Sequence, residues 1–213
     1  MSTKQDYKKD VLNIAPFESG LTRREFLKQA GLATLVAGLL VSKPSVSMSF
    51  LQSDDEDSKQ NAHSMPENFS DSQKQILEAV QLQLFPADGD GPSSAELNAL
   101  PYLEWALTDP KNREDGDKEF IISGIGWLQA FSKETEKKSF IKLSNKQQHK
   151  LLTQFSKIQK HENWMSILVY YLIEALLLDP VYGGNPKGIA WKWLEHQPGF
   201  PRPKKGQTYR ELT

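Results

Sequence analysis

Trp164-Met165-Ser166-Ile167-Leu168-Val169-Tyr170-Tyr171-Leu172-Ile173-Glu174-Ala175-Leu176-Leu177-Leu178 carries a single charge in fifteen residues. Such a run reads as a helix that is apolar almost all round, and a helix of that kind has to be covered on every side. It is either the central helix of a core, or one of its faces meets another subunit. At this length, with Glu174 inside, it is a poor membrane span.

The segments before it repeat the helical period. Ser144 with Gln147 three residues later forms a capping box that opens a helix with Leu151, Leu152 and Phe155 on one face. Asp117 can cap a helix carrying Ile121, Ile122, Ile125, Trp127, Leu128 and Phe131, and Gly124 and Gly126 inside it read as a close helix crossing. No strand precedes those glycines, so they are not a phosphate loop. Leu97 to Leu107 is a further helix, broken at Thr108-Asp109-Pro110 because the residue before proline disfavours the helical region; Lys111 to Gly116 follows as a loop. Ser70 or Asp71 caps a helix with Ile76, Leu77, Val80 and Leu84, which Phe85-Pro86 ends. Neither an alternating strand pattern nor an internal repeat appears. The expected fold is all-α, a single compact domain of about five to six helices over residues 70–198.

After the apolar helix comes Asp179-Pro180-Val181-Tyr182-Gly183-Gly184-Asn185-Pro186-Lys187-Gly188, dense in residues that fix turns or accept positive φ. Ile189 to Leu194 makes a short amphipathic helix bearing Trp191 and Trp193, and residues 199–213 read as a Pro-rich basic tail.

The N-terminus sets the destination. Thr22-Arg23-Arg24-Glu25-Phe26-Leu27-Lys28 stands before the uncharged run Ala30 to Val41, and fills every position of a twin-arginine export signal: Arg23, Arg24, Phe26, Leu27 and Lys28. Paired guanidinium groups present planar donor forks to an acidic receptor surface. The Tat translocase that reads such signals carries folded proteins, so residues 1–47 are read as a signal peptide for the periplasm, with Ser45-Val46-Ser47 the best cleavage candidate. Left uncut, the same helix would tether the protein to the outer face of the membrane. Residues 48–69, with Asp54-Asp55-Glu56-Asp57 in a row, lack the apolar surface to order themselves and read as a disordered acidic linker.

Of the 213 residues, 26 are Lys or Arg and 27 are Asp or Glu; positions 1–47 hold 7 and 4 of these, leaving 19 against 23, a net −4 that argues against nucleic acid. With no cysteine the chain forms no disulfide, ligates no iron–sulfur cluster and attaches no haem covalently. No Ser-His-Asp order, phosphate loop, dinucleotide pattern or metal pair is found, and His63, His149, His161 and His196 are scattered. Asp88 and Asp90 read as turn residues, not as a calcium loop. Neither a catalytic nor a cofactor or metal residue is therefore assigned. Glu174, a carboxylate in an apolar helix, is the best single acid–base candidate.

The Asp179-Pro180-Val181-Tyr182-Gly183-Gly184-Asn185 element, Gly188-Ile189-Ala190-Trp191, the Leu84-Phe85-Pro86-Ala87-Asp88 loop and the twin-arginine leader together resemble the gluconate 2-dehydrogenase subunit 3 family over about residues 70–200. The resemblance implies a non-catalytic partner of a large FAD-containing subunit of the glucose-methanol-choline type, often in company with a multihaem cytochrome c. In such complexes the small subunit carries the signal and the large one crosses as a passenger. Asp179, Pro180, Tyr182, Gly183, Gly184 and Asn185 are then the structural loop that sets Trp191 and Trp193 against the partner. Gly91 to Leu100, with Pro92-Ser93-Ser94 and no Gly-Ala pair, departs from the family pattern. The competing expectation is a free-standing exported enzyme or binding protein using Asp88, Asp90, Glu104 and Glu174 around a pocket.

Overall fold

The computed structural model describes Arg24 and residues 69–211. The export signal apart from Arg24, and the linker apart from Phe69, lie outside the described residues. Phe69 itself is buried and belongs to the core, so the domain begins one residue before the expected cap.

Seven α-helices and three short 3-10 turns make up the described chain, and it holds no strand. Helix α1 spans Asp71–Leu84, α2 Ala99–Ala106, α3 Pro110–Glu114, α4 Asp117–Glu136, α5 Asn145–Phe155, α6 Gln159–Leu177 and α7 Ile189–Leu194. The domain is all-α. The expected capping box of Ser144 with Gln147 opens α5, and Ser70, one of the two caps read for α1, forms a second box with Gln73, each side chain taking the other end's orphan N–H. Helix α3 is the addition to the expected set. Asp109 stays extended before Pro110, but its carboxylate accepts the Lys111 N–H and so starts a new turn where a loop was read.

Helix α6 is the hub, packing on α1, α2, α4 and α7. It starts at Gln159, earlier than its apolar run, because a polar first turn leaves no trace in hydrophobic periodicity. His161, Trp164, Met165, Leu168, Tyr171, Leu172, Ala175 and Leu176 are buried. Ser166, Val169 and Ile173 are exposed, the last two at 37% and 39%, so this domain leaves one apolar stripe of α6 uncovered. Helix α4 runs antiparallel to it: Asp117 meets Tyr171, Gly124 meets Trp164 and Trp127 meets His161. A smaller core of Leu97, Leu176, Ala190 and Leu194 ties α7 to the loop after α1.

Two expectations about α4 change. Gly116 in the left-handed region, φ 73°, is the N-cap, whereas Asp117 is the first helical residue and is buried. Its carboxylate is taken by the Tyr171 hydroxyl, since a buried phenol on the central helix needs an acceptor. The two glycines also differ. A Cβ on Gly124 would lie 2.0 Å from the Trp164 ring, while one on Gly126 would meet nothing within 4 Å. Only Gly124 serves the helix crossing, and it lets the Trp164 indole N–H reach the Ile121 carbonyl at 3.0 Å. Gly124→Ala should therefore cost about 1–3 kcal/mol by overpacking, whereas Gly126→Ala should stabilise by about 0.5–1 kcal/mol through helix propensity. Urea unfolding of the two variants reads the contrast, and equal shifts would contradict the packing.

Among the described residues no helix is long and apolar enough to cross a membrane.

Candidate partner-docking loop

The chain leaves α6 at Leu178 and turns through Asp179–Tyr182 and Pro186–Gly188 into α7. Asp179 starts the first turn: its Oδ1 accepts the Val181 N–H at 3.0 Å. Gly183 closes that turn at φ 97°, a conformation a β-branched side chain resists. Gly184 is needed for a different reason. A Cβ there would stand 2.7 Å from the Ala175 carbonyl oxygen, so the loop backbone lies directly on α6.

Asn185 is fully buried and joins three segments. Its N–H donates to the Leu97 carbonyl at 3.0 Å, and its Oδ1 accepts the Ala190 N–H at 2.8 Å, which caps α7. The tryptophans of α7 turn towards the chain's own core. Trp191 is 7% exposed and its indole N–H donates to the Leu177 carbonyl at 2.8 Å, satisfying the end of α6. Trp193 packs edge-on to Phe85, ring centroids 6.4 Å apart, and against Gly91, where a Cβ would fall 2.3 Å from the indole. The segment that departs from the family pattern is thus the one on which Trp193 rests.

The described part of the Pro-rich basic tail, residues 200–211, lies as a strap across this loop. Arg202 forms a two-pronged ion pair with Asp179, Nε to Oδ2 2.7 Å and Nη2 to Oδ1 3.1 Å, and lies over the Trp191 ring. Further on, the Tyr209 hydroxyl donates to Asp109 Oδ2 at 2.9 Å, and the Tyr209 ring packs on Tyr182 and Trp105. The Arg210 guanidinium lies 3.8 Å above the Trp105 ring. Arg202, Tyr209, Arg210, Trp105 and Asp109 are the site residues that sequence reasoning missed; the two arginines flanking a tyrosine in an otherwise Pro-rich tail were the available signal. Arg24 Nη2, the part of the signal motif that is described, stands 2.6 Å from Glu195 Oε1 just after α7.

Burial pushes the Asp179 carboxyl up, but Arg202 and the Val181 N–H outweigh it and hold the group below its usual value. For Asp109, burial is likewise outweighed by Tyr209, the Lys111 N–H and Arg210. A carboxylate whose pKa is lowered in the folded state contributes stability that is present above its unfolded value and lost as pH falls through the folded one. The strap is therefore expected to loosen as pH drops below the ordinary aspartate range, about 3.9. Near-ultraviolet dichroism from the Trp105, Tyr182 and Tyr209 cluster should fade there before the helical signal does. Simultaneous loss of both signals would contradict the separate release.

Three of the four carboxylates of the competing expectation, those of Asp88, Glu104 and Glu174, are engaged elsewhere. Asp88 Oδ1 accepts the Asp90 N–H at 3.0 Å in a turn, Glu104 pairs with Lys74 at 2.8 Å, and Glu174 Oε2 accepts the Tyr102 hydroxyl at 2.9 Å. Burial first, and then Glu174, raise the Tyr102 phenol well above its ordinary value, so it stays a donor. No group of three or more His, Asp or Glu able to hold a metal occurs among the described residues.

The family model described as Gluconate 2-dehydrogenase subunit 3 matches residues 71–199, from the start of α1 to just past α7. The chain belongs to the gluconate 2-dehydrogenase subunit 3 family. The match covers all seven helices and the Asp179–Asn185 loop, and it stops before the strap. No curated protein and no solved structure matches the chain. The family's name describes a dehydrogenase subunit, and it places the chain in that class.

Proposed function

We propose that this chain is the non-catalytic small subunit of a periplasmic flavoprotein dehydrogenase that oxidises a sugar, alcohol or sugar acid. It supplies the twin-arginine signal, and it assists the export, assembly and stability of an FAD-containing catalytic subunit of the glucose-methanol-choline type, with a multihaem cytochrome c as the further redox partner. The observation that carries this reading is the family match over residues 71–199, joined to a complete Thr22–Lys28 signal motif outside it. The Tat translocase handles folded cargo, which suits a subunit that leads a cofactor-loaded partner across.

The geometry of the loop supports a docking role. Asp179, Pro180, Tyr182, Gly183, Gly184 and Asn185 form a rigid bracket on the end of α6, and through Asn185 and Trp191 it fixes the angle of α7. Trp191 and Trp193 anchor that helix from within, so the partner meets its outer side and the bracket. The open stripe of Val169 and Ile173 on α6 is further apolar surface for a partner to cover.

The purified chain alone is expected to be helical by circular dichroism and colourless, with flavin found only when the large subunit is added. A stoichiometric flavin or haem absorbance band in the chain alone would overturn the accessory reading. Replacing Asp88, Asp90 and Glu104 together by the corresponding amides should leave dehydrogenase activity of the assembled complex unchanged; loss of turnover with assembly intact would contradict the non-catalytic reading of this chain.

A further inference from the structure

The seat of Arg210 is more elaborate than a surface ion pair requires. Its Nη1 donates to Thr108 Oγ1 at 2.8 Å, and its Nη2 reaches the Trp105 and Ala106 carbonyls at 3.2 and 3.4 Å. Nε lies 3.2 Å from Asp109 Oδ2, and the plane of the group covers the Trp105 indole. An aromatic floor, a carboxylate wall and the end carbonyls of α2 together match a planar five-donor fork, and they do not match an ammonium. Asp179 with the Trp191 ring repeats the arrangement for Arg202. Tyr182 connects the two seats, its ring packing on Trp105 and Tyr209 and its backbone N–H donating to the Asp179 carbonyl at 3.0 Å.

Seats and occupants divide at the boundary of the family match. Trp105, Thr108, Asp109, Asp179, Tyr182 and Trp191 lie inside residues 71–199, whereas Arg202, Tyr209 and Arg210 lie outside. The occupant is held unevenly: Arg210 is enclosed, its side chain 21% exposed, while the rest of the strap lies more open. The strap has no helix or strand of its own, the Arg202 side chain is 49% exposed and Tyr209 51%. Segments with few buried contacts open first.

We propose that the two seats form a recognition surface for an arginine-bearing extended segment of the large subunit. Residues 202–210 fill it in the free chain and are displaced on assembly. The partner segment is specified by charge and shape: two guanidinium groups spaced to reach Asp109 and Asp179, with an aromatic residue between them. This rests on the accessory-subunit reading for the identity of the partner, while the seats themselves stand on the contacts above. In the free chain the strap keeps two carboxylates and two tryptophan faces from binding other basic segments before the large subunit is at hand.

The test vacates the seats in the full chain with Arg202→Ala and Arg210→Ala, and titrates it with a synthetic peptide of residues 199–213 while following tryptophan fluorescence. The vacated chain should bind the peptide saturably, and the parent chain at least roughly tenfold more weakly, since a filled site lowers apparent affinity by its open fraction. The vacated chain should likewise bind the purified large subunit roughly tenfold more tightly than the parent does. The Arg202→Lys, Arg210→Lys chain keeps the charge, loses the fork and should fall between them; it replaces the alanine variant if that one fails to fold. Failure of the peptide to bind a folded vacated chain overturns the seats, and unchanged or weaker binding of the large subunit overturns the displacement. If neither chain binds the large subunit, the accessory reading falls and takes the partner assignment with it, and the peptide titration still decides the seats.

Discussion

The Gly183→Val, Gly184→Val variant is expected to lose about 1–3 kcal/mol of folding stability at each position. That is a large share of the roughly 5–15 kcal/mol by which domains are stable. The two losses have different origins, so the single variants separate them. At Gly184 a side chain would press into the backbone of α6 at Ala175, with nothing flexible to move aside. At Gly183 the space is open and the cost is the backbone itself, at φ 97°. Gly183→Asn should therefore recover most of the stability, since asparagine accepts the left-handed region, whereas Gly184→Asn should not. Thermal unfolding reads this at about 2–4 °C per kcal/mol for a chain of this size.

The same pair tests docking. Gly184→Val strikes the core, so its effect on capture of the flavoprotein should follow the loss of folded protein. Gly183→Val moves Tyr182 and the turn beside the strap, and is expected to reduce capture beyond what its unfolding shift accounts for. Capture that tracks stability in both variants would make the loop a cap on α6 and nothing more.

Replacing Arg23 and Arg24 by lysine is expected to abolish export of this chain, and to strand the large flavoprotein subunit in the cytoplasm with it. An ammonium keeps the charge but not the planar fork that the signal presents. Periplasmic dehydrogenase activity should fall to background while the total amount of both subunits changes little. A large subunit that is exported normally while this chain is retained would end the passenger idea.

Features that the sequence made legible are those whose chemistry is local. The Ser144–Gln147 box needs only residues three apart and formed as expected, and of the two caps read for the first helix, Ser70 or Asp71, it is Ser70 that takes the role, with Gln73 completing a box that had not been read. Asp109 before Pro110 was recognised as a break, but not as the cap of a further turn. Gly124 and Gly126 look alike in sequence, and only the arrival of Trp164 on one face of α4 separates them. Asp117 was read as a cap because no local pattern reveals that Tyr171, 54 positions away, needs its carboxylate. The strap was hidden for the same reason: Arg210 bonds to the Trp105 carbonyl 105 positions earlier, and a Pro-rich basic stretch carries no mark of its destination. The loop Asp179 to Asn185 was visible because turns depend on glycine, proline and asparagine at fixed places. Its contacts with α6 and Leu97 were not.

The claim at the centre of this account is that the chain works as a subunit and leaves the chemistry to a partner. Affinity purification of the tagged full chain from the periplasm of its own host, followed by flavin determination on the eluate, tests that most directly. The account predicts a co-eluting large subunit that carries all the flavin, and dehydrogenase activity that disappears when that subunit is stripped away. A chain that elutes alone and retains the activity would contradict it.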